Sequence, residues 1–246
     1  MKFIVHQSES RGNLRYHKDG AIGYLSLDNP SARNAMSINM MVDFPTVLGQ
    51  IELDQPTVLI VRGADQRYFC SGGDLRDVRR WIASPQAGAE MCRYMTEQLQ
   101  RLYSLPVFII VVIDGAAIGG GAELSMIGDY ILAEQGSTIG FVQASLGVTT
   151  GWGGAKRLIQ RVGRLKATQV LTLAQRNSAQ QALSLGIVDD VTEDVDHHLA
   201  KLLNLILSRP TETCHTLMRM MRGEIDEQSA FEKTWASPDH LRALGL

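Results

Sequence analysis

Three consecutive glycines, Gly119, Gly120 and Gly121, stand just ahead of a carboxylate, Glu123. They follow Asp114-Gly115, which ends an uncharged β-branched and apolar run from Val107 to Ile113. A glycine turn in that place can hold bare backbone N–H groups toward a ligand, because no Cβ blocks the approach. From Ala122 the order Ala-Glu-Leu-Ser-Met-Ile suits a helix, whose N-terminus adds partial positive charge. An anion, or an oxygen becoming one, is the natural occupant, and Glu123 in the first helical turn brings a carboxylate to the same space. A tight strand-to-helix turn with no ligand reads as well from these residues alone. The spacing Gly115-x-x-x-Gly119-Gly120-Gly121 does not fit the dinucleotide pattern Gly-x-Gly-x-x-Gly, and no Lys-Ser/Thr pair makes it a Walker loop.

A second glycine pair, Gly72-Gly73, sits in the loop Ala64 to Leu75 and is followed at once by Asp74. The elements that must position both turns read alike. Thr57–Gly63 is a buried strand ahead of Gly72-Gly73, and Val107–Ile113 is one ahead of Gly119–Gly121. A helix from about Ala87 to Tyr103, with a stripe at Met91, Met95, Leu99 and Leu102, lies between them. Alternating strand and helix predict a parallel sheet with helices outside, and place both loops at the carboxyl ends of their strands.

Upstream, Lys2–Gln7, Leu14–His17 and Ala21–Leu27 read as strands, with a hairpin signal at Lys18-Asp19-Gly20. Asn29-Pro30 breaks the last of them. Ser37 is the expected N-cap of a helix to about Leu53, and Pro45 inside it predicts a kink or a disturbed start. Downstream, Tyr130–Ala133, Ser137–Gly140 and Val188–Val191 read as short strands. The segments 153–162, 165–173, 179–185, 196–207 and 211–222 read as helices, broken at Gly163, Asn177-Ser178, Gly186 and Arg209-Pro210. The expected division is a mixed core over residues 1–190 and a helical C-terminal region over 191–246.

The chain has 246 residues, 45% hydrophobic content and a net charge of −2, so neither nucleic acid nor an acidic membrane surface is an expected partner. No run of 18 apolar residues and no signal-peptide pattern is present. The three cysteines are too far apart for a zinc or disulfide framework. A cytoplasmic protein is the expectation.

Four segments occur in order: Asn29-Pro-Ser-Ala-Arg-Asn-Ala-Met-Ser37, Phe69-Cys-Ser-Gly-Gly-Asp-Leu75, Asp114-Gly-Ala-Ala-Ile-Gly-Gly-Gly-Ala-Glu-Leu124 and Gly151-Trp-Gly-Gly-Ala-Lys-Arg-Leu158. Together they resemble the crotonase superfamily, also called the enoyl-CoA hydratase/isomerase family, from about Ile22 to Val191. The resemblance implies an α/β spiral of ββα repeats with a helical C-terminal trimerisation region, and homotrimers or dimers of trimers. It implies an acyl-CoA substrate of fatty acid metabolism, no metal and no redox cofactor, coenzyme A entering only as part of the substrate. It implies that the N–H groups of Gly73 and Gly120 grip the thioester oxygen. Coenzyme A would run along Arg33 and Ala35 and along Ser71, Gly73, Asp74, Leu75 and Arg76, with Trp152 as pocket wall and Asp74 fixing its loop.

The same resemblance implies two glutamates in hydratases. Glu123 matches the first; the second falls on Gln143, and an amide cannot act as a general base. Phe141-Val-Gln143, Gly151–Gly154 and the terminal Trp235-Ala-Ser-Pro-Asp-His-Leu-Arg-Ala-Leu are similar to a subgroup of ethylmalonyl- and methylmalonyl-CoA decarboxylases, although that subgroup implies His at position 143. Decarboxylation suits these residues: Gln143 would donate an N–H to the leaving carboxylate. Glu123, kept protonated by burial beside Trp152, would return a proton to the enolate. Hydration or isomerisation with Glu123 alone, and acyl-CoA binding without catalysis, remain the alternatives.

Overall fold

Two strands joined by a tight turn open the described chain: β1 (Asn13–Asp19) and β2 (Ile22–Asp28) pair antiparallel, Asp19 opposite Ile22, with Gly20 at φ 56° making the turn. The computed structural model describes residues 10–65, 67–82 and 84–246, without the side chain of Trp81, so the strand expected over Lys2–Gln7 lies outside the described residues. Pro30–Ala32 form one 3-10 turn after β2. The Ser37 side chain then caps α1 (Ile38–Asp54) by accepting from the Met40 N–H at 3.2 Å.

The expected disturbance at Pro45 is corrected: α1 runs unbroken from Ile38 to Asp54. Proline has no N–H for the carbonyl four residues back, which belongs to Met41. Tyr94 supplies the missing donor, its hydroxyl reaching the Met41 oxygen at 2.9 Å. Tyr94 stands on α3 (Pro85–Tyr103), so the defect in one helix is met by the helix packed on it.

β3 (Val58–Gly63), β4 (Phe108–Ile113), β6 (Tyr130–Glu134) and β9 (Asp190–Thr192) continue the main sheet in the order β1-β2-β3-β4-β6-β9, parallel from β2 onward. Its side chains alternate between two apolar layers. Leu59, Val61, Ile109, Val111 and Ile113 face the layer holding α1 and α3. Val58, Ile60, Ile110 and Val112 face the other, closed by Val195 and Leu199 of α7 (Val195–Leu207). Arg62 fixes α7 as well, bonding Asp114 through Nε and Nη2 at 2.6 and 2.8 Å and Asp196 through Nη1 at 2.7 Å.

A second sheet sits over the end of the first. β5 (Ala116–Ile118) pairs parallel with β7 (Thr138–Gly140), which pairs antiparallel with β8 (Arg176–Ser178). β5 and β8 are absent from the sequence reading, which takes the first for part of a glycine turn and the second for a helix break. Each has three residues, too few for a periodic pattern. Two helices at the site complete this part: α2 (Leu75–Trp81), capped by Asp74, and α4 (Gly120–Ser125). α5 (Gly154–Leu173) is interrupted at the expected place, Gly163, with φ 78° and ψ 160°. After α6 (Ala179–Leu185) and β9 the chain is helical: α7, α8 (Thr211–Met221), α9 (Glu227–Thr234) and α10 (Pro238–Ala243). No helix among the described residues is long and apolar enough to cross a membrane.

Replacing Tyr94 by Phe should destabilise the fold by about 1–2 kcal/mol, because the buried Met41 carbonyl loses its donor. Urea unfolding followed by circular dichroism measures this.

Candidate active site

Three segments meet at the carboxyl ends of β3 and β4. The 33–36 and 70–74 segments are zipped by Ser71 N to Arg33 O (3.2 Å), Met36 N to Gly72 O (2.7 Å) and Asp74 N to Met36 O (2.9 Å). On its other side the 70–74 loop meets β5, with Ile118 N donating to Cys70 O at 2.9 Å. In the bridge between Met36 and Gly73, the flanking Gly72 carbonyl and Asp74 N–H make the bonds. The N–H of Gly73 takes no part in that bridge, on a segment that also neighbours the β5–α4 loop. That loop is close: a Cβ on Gly72 would fall 3.4 Å from the Gly120 nitrogen. Gly73 and Gly120 both keep partial exposure.

Glu123 is 2% exposed and its carboxylate accepts four hydrogen bonds. Oε1 takes the Gln143 amide (Nε2, 2.8 Å) and the Gly151 N–H (3.0 Å); Oε2 takes the N–H groups of Trp152 (2.8 Å) and Gly154 (3.0 Å). Four donors match the acceptor capacity of an ionised carboxylate, and charge-assisted bonds of this kind are stronger than neutral ones. A proton on either oxygen would face an N–H. The six-residue α4 also contributes little dipole, so the hydrogen bonds govern the charge here.

Local packing fixes this arrangement. A Cβ on Gly154 would lie 2.5 Å from Cβ and Cγ of Glu123, so only glycine lets the turn close on the carboxylate. Thr96 of α3 donates to the Gly151 carbonyl at 3.2 Å. Trp152 is buried, and its ring lies so close over Gly120 that a Cβ there would fall 2.5 Å from it. Its indole N–H points to Met91 Sδ at 3.2 Å. Trp152 thus packs over Gly120 with its ring and donates its main-chain N–H to Glu123.

Gln143 opens a 3-10 turn over Gln143–Leu146 and is 8% exposed. One of its two amide hydrogens is taken by Glu123, which leaves the other for the expected donation to a substrate carboxylate. Its Oε1 is buried without a hydrogen-bond partner.

The other expected binding residues lie around the zipped segments. Arg33 is exposed, in the left-handed region at φ 55°, with its guanidinium 5.7 Å from the centre of the Tyr68 ring. Ala35 is buried and its carbonyl accepts from Asn29 Nδ2 at 2.9 Å. The Ser71 hydroxyl bonds the Ala32 carbonyl at 3.0 Å. Asp74 is buried and caps α2 through the Arg76 N–H at 2.8 Å, a loop-fixing role as expected. Leu75 and Arg76 are exposed. Cys70, beside the Gly72 carbonyl, is fully buried; burial pushes its thiol up to about 11, so it is no nucleophile at neutral pH. The sequence reading misses the Gly151 and Gly154 N–H groups as ligands of Glu123; the run Gly151-Trp-Gly-Gly154 ahead of a helix is the signal that points to them.

The enoyl-CoA hydratase/isomerase family model matches residues 17–237. The chain belongs to that family. Ethylmalonyl-CoA decarboxylase of Xenopus tropicalis is 40% identical over 180 residues, 72% of this chain and 60% of its own length. The namesake of Gallus gallus is 32% identical over 97% of this chain and 85% of its own length. The chain spans 60% and 58% of the length of the Xenopus tropicalis and Xenopus laevis proteins. An enoyl-CoA hydratase of Bacillus anthracis shares the fold with a TM-score of 0.87, at 23% identity over 95% of both chains. The crystal structure of enoyl-CoA hydratase from Thermoplasma volcanium matches with a TM-score of 0.83, at 25% identity over 94% of this chain and 96% of its own. Against this family background, the second glutamate implied for hydratases is absent and an amide bonds the first.

Gly154→Ala should displace the Glu123 carboxylate from its N–H donors and destabilise the protein by roughly 1–3 kcal/mol. Thermal unfolding of this variant beside Gly49→Ala, where a Cβ meets nothing within 4 Å, measures the difference.

Proposed function

We propose that this enoyl-CoA hydratase/isomerase family member decarboxylates a short branched malonyl-CoA, with ethylmalonyl-CoA the first candidate. The observation that carries the reading is the filling of Glu123 by four N–H donors, one of them from Gln143. Hydration needs a carboxylate free to take a proton from water, and isomerisation needs one to move a proton along carbon. Decarboxylation needs neither in its first step. The names of the relatives from frog and chicken support the same choice.

In this reading the thioester oxygen accepts from the N–H groups of Gly73 and Gly120. The bond from Cα to the carboxylate breaks, CO2 leaves, and the electron pair forms the enolate whose oxygen carries the charge. A preorganised donor of this kind contributes about 2.7–4 kcal/mol of barrier lowering. A water then protonates Cα, and the hydroxide left behind combines with CO2 as bicarbonate. Coenzyme A lies along Arg33, Ala35, Ser71, Asp74, Leu75 and Arg76, and Trp152 closes the pocket. Glu123 and Gln143 form a rigid wall rather than an acid and a base. The reading includes a homotrimer or dimer of trimers, supported by exposed Leu217, Met221, Phe231 and Trp235 on and after α8 and α9.

Mass spectrometry of the purified protein with ethylmalonyl-CoA and methylmalonyl-CoA should show conversion to the acyl-CoA lacking CO2. No conversion of either, with crotonyl-CoA hydrated instead, would put a hydratase in its place. Tight thioester binding without turnover of a broad panel would leave a binding protein. In Gln143→Glu two carboxyl groups would meet at hydrogen-bond distance and share a proton, the acid and base that hydration requires. Crotonyl-CoA hydration, absent from the native protein, should then appear.

A further inference from the structure

On the far side of the turn that holds Glu123 lies a charged side chain that the proposed reaction does not use. Arg157 stands in the first turn of α5 and is 6% exposed. It forms no ion pair with a described residue, and its Nε is buried without a hydrogen-bond partner. It donates instead to the backbone, from Nη2 to the Trp152 carbonyl at 2.6 Å. Burial lowers the proton affinity of this guanidinium, and the charge of Glu123 opposes that shift. Arg157 also lines a polar cavity of about 200 Å3 with Tyr103, Asp129, Gln160 and Arg161 among its walls. A buried cation without a carboxylate partner is costly, so its place needs a reason.

The reason lies in the main chain of Trp152. Its N–H donates to Glu123 Oε2 at 2.8 Å and its carbonyl accepts from Arg157 at 2.6 Å. Trp152 is thus held on both sides, by Glu123 through the peptide group before it and by the buried Arg157 through the peptide group after it. The same residue lays its ring over Gly120. We propose that Arg157 is a positioning residue that acts through Trp152 on both halves of the site, holding the peptide N–H on Glu123 and the indole against Gly120. The inference rests on the decarboxylase reading for its kinetic arm only.

Arg157→Met removes the charge and the donors and keeps most of the volume; Arg157→Lys keeps the charge. Hydrogen exchange by mass spectrometry, read over the segment 148–158, needs no substrate. In Arg157→Met, exchange there should quicken roughly 10-fold while β3 and β4 keep native protection. With ethylmalonyl-CoA, kcat should fall roughly 10-fold or more with KM nearly unchanged, since small misplacement at a site is felt in the chemical step. Arg157→Lys should restore much of both. Native exchange and kcat in Arg157→Met, or Arg157→Lys no better than Arg157→Met, would overturn the proposal. If Arg157→Met does not fold, Arg157→Leu is judged by the same criteria. If the native protein turns over neither ethylmalonyl-CoA nor methylmalonyl-CoA, the decarboxylase reading fails and the exchange arm alone decides this one.

Discussion

A carboxylate 2% exposed to solvent is the constraint around which this site is built. An ionised group so buried is tolerated only when its lone pairs are filled. Here the donors come from the Gln143 side chain and from the main chain of Gly151, Trp152 and Gly154. Helix α4, the 3-10 turn at Gln143 and the entry to α5 are therefore tied at a single point. The tie reaches the glycine turn as well, because Trp152, which gives an N–H to Glu123, also covers Gly120 with its ring. Movement of the 151–154 turn would disturb both at once.

That constraint separates two properties that are easily run together. A glutamate beside a glycine turn invites the role of acid or base, but availability for proton transfer depends on unfilled lone pairs, not on residue type. With four N–H groups on two oxygens, Glu123 is matched as an acceptor. Gln143 reinforces this state, since only its nitrogen end can face a carboxylate. Its oxygen is left buried without a partner. Losing the hydrogen bonds of that oxygen is the cost of the pairing, and burying Arg157 behind the turn is another. Both are local departures from satisfied packing, and both cluster at the carboxylate.

Much of the scaffold was legible because its signals are local. The Lys18-Asp19-Gly20 turn, the Ser37 cap and the break at Gly163 each depend on the preferences of one or two residues, and each is found where the sequence puts it. Pro45 shows the limit of such reasoning. Its missing N–H is a local fact, but the hydroxyl that compensates arrives from Tyr94, 53 residues beyond the Met41 carbonyl it serves. β5 and β8 escaped for a related reason: with three residues each, they are strands only because β7 lies between them. The ligands of Glu123 are main-chain groups, which carry no residue identity beyond the glycines that allow their approach.

The same distinction explains why the family is easier to read than the reaction. The motifs around Gly73, Gly120 and Gly154 record where the backbone must come close, a steric requirement that any use of the fold shares. A Cβ at Gly120 or Gly154 would overlap Trp152 or Glu123 whatever the substrate. The reaction depends instead on the hydrogen-bond state of two side chains, and that state is set by partners 20 to 31 residues away from Glu123 in sequence. Replacing a glutamate by Gln143 changes few atoms and leaves every glycine in place. It nevertheless leaves one carboxylate, with an amide bonded to it, where the resemblance to hydratases implies two. Sequence motifs therefore identify the frame of this site, while its chemistry resides in which of the N–H groups Glu123 has already taken.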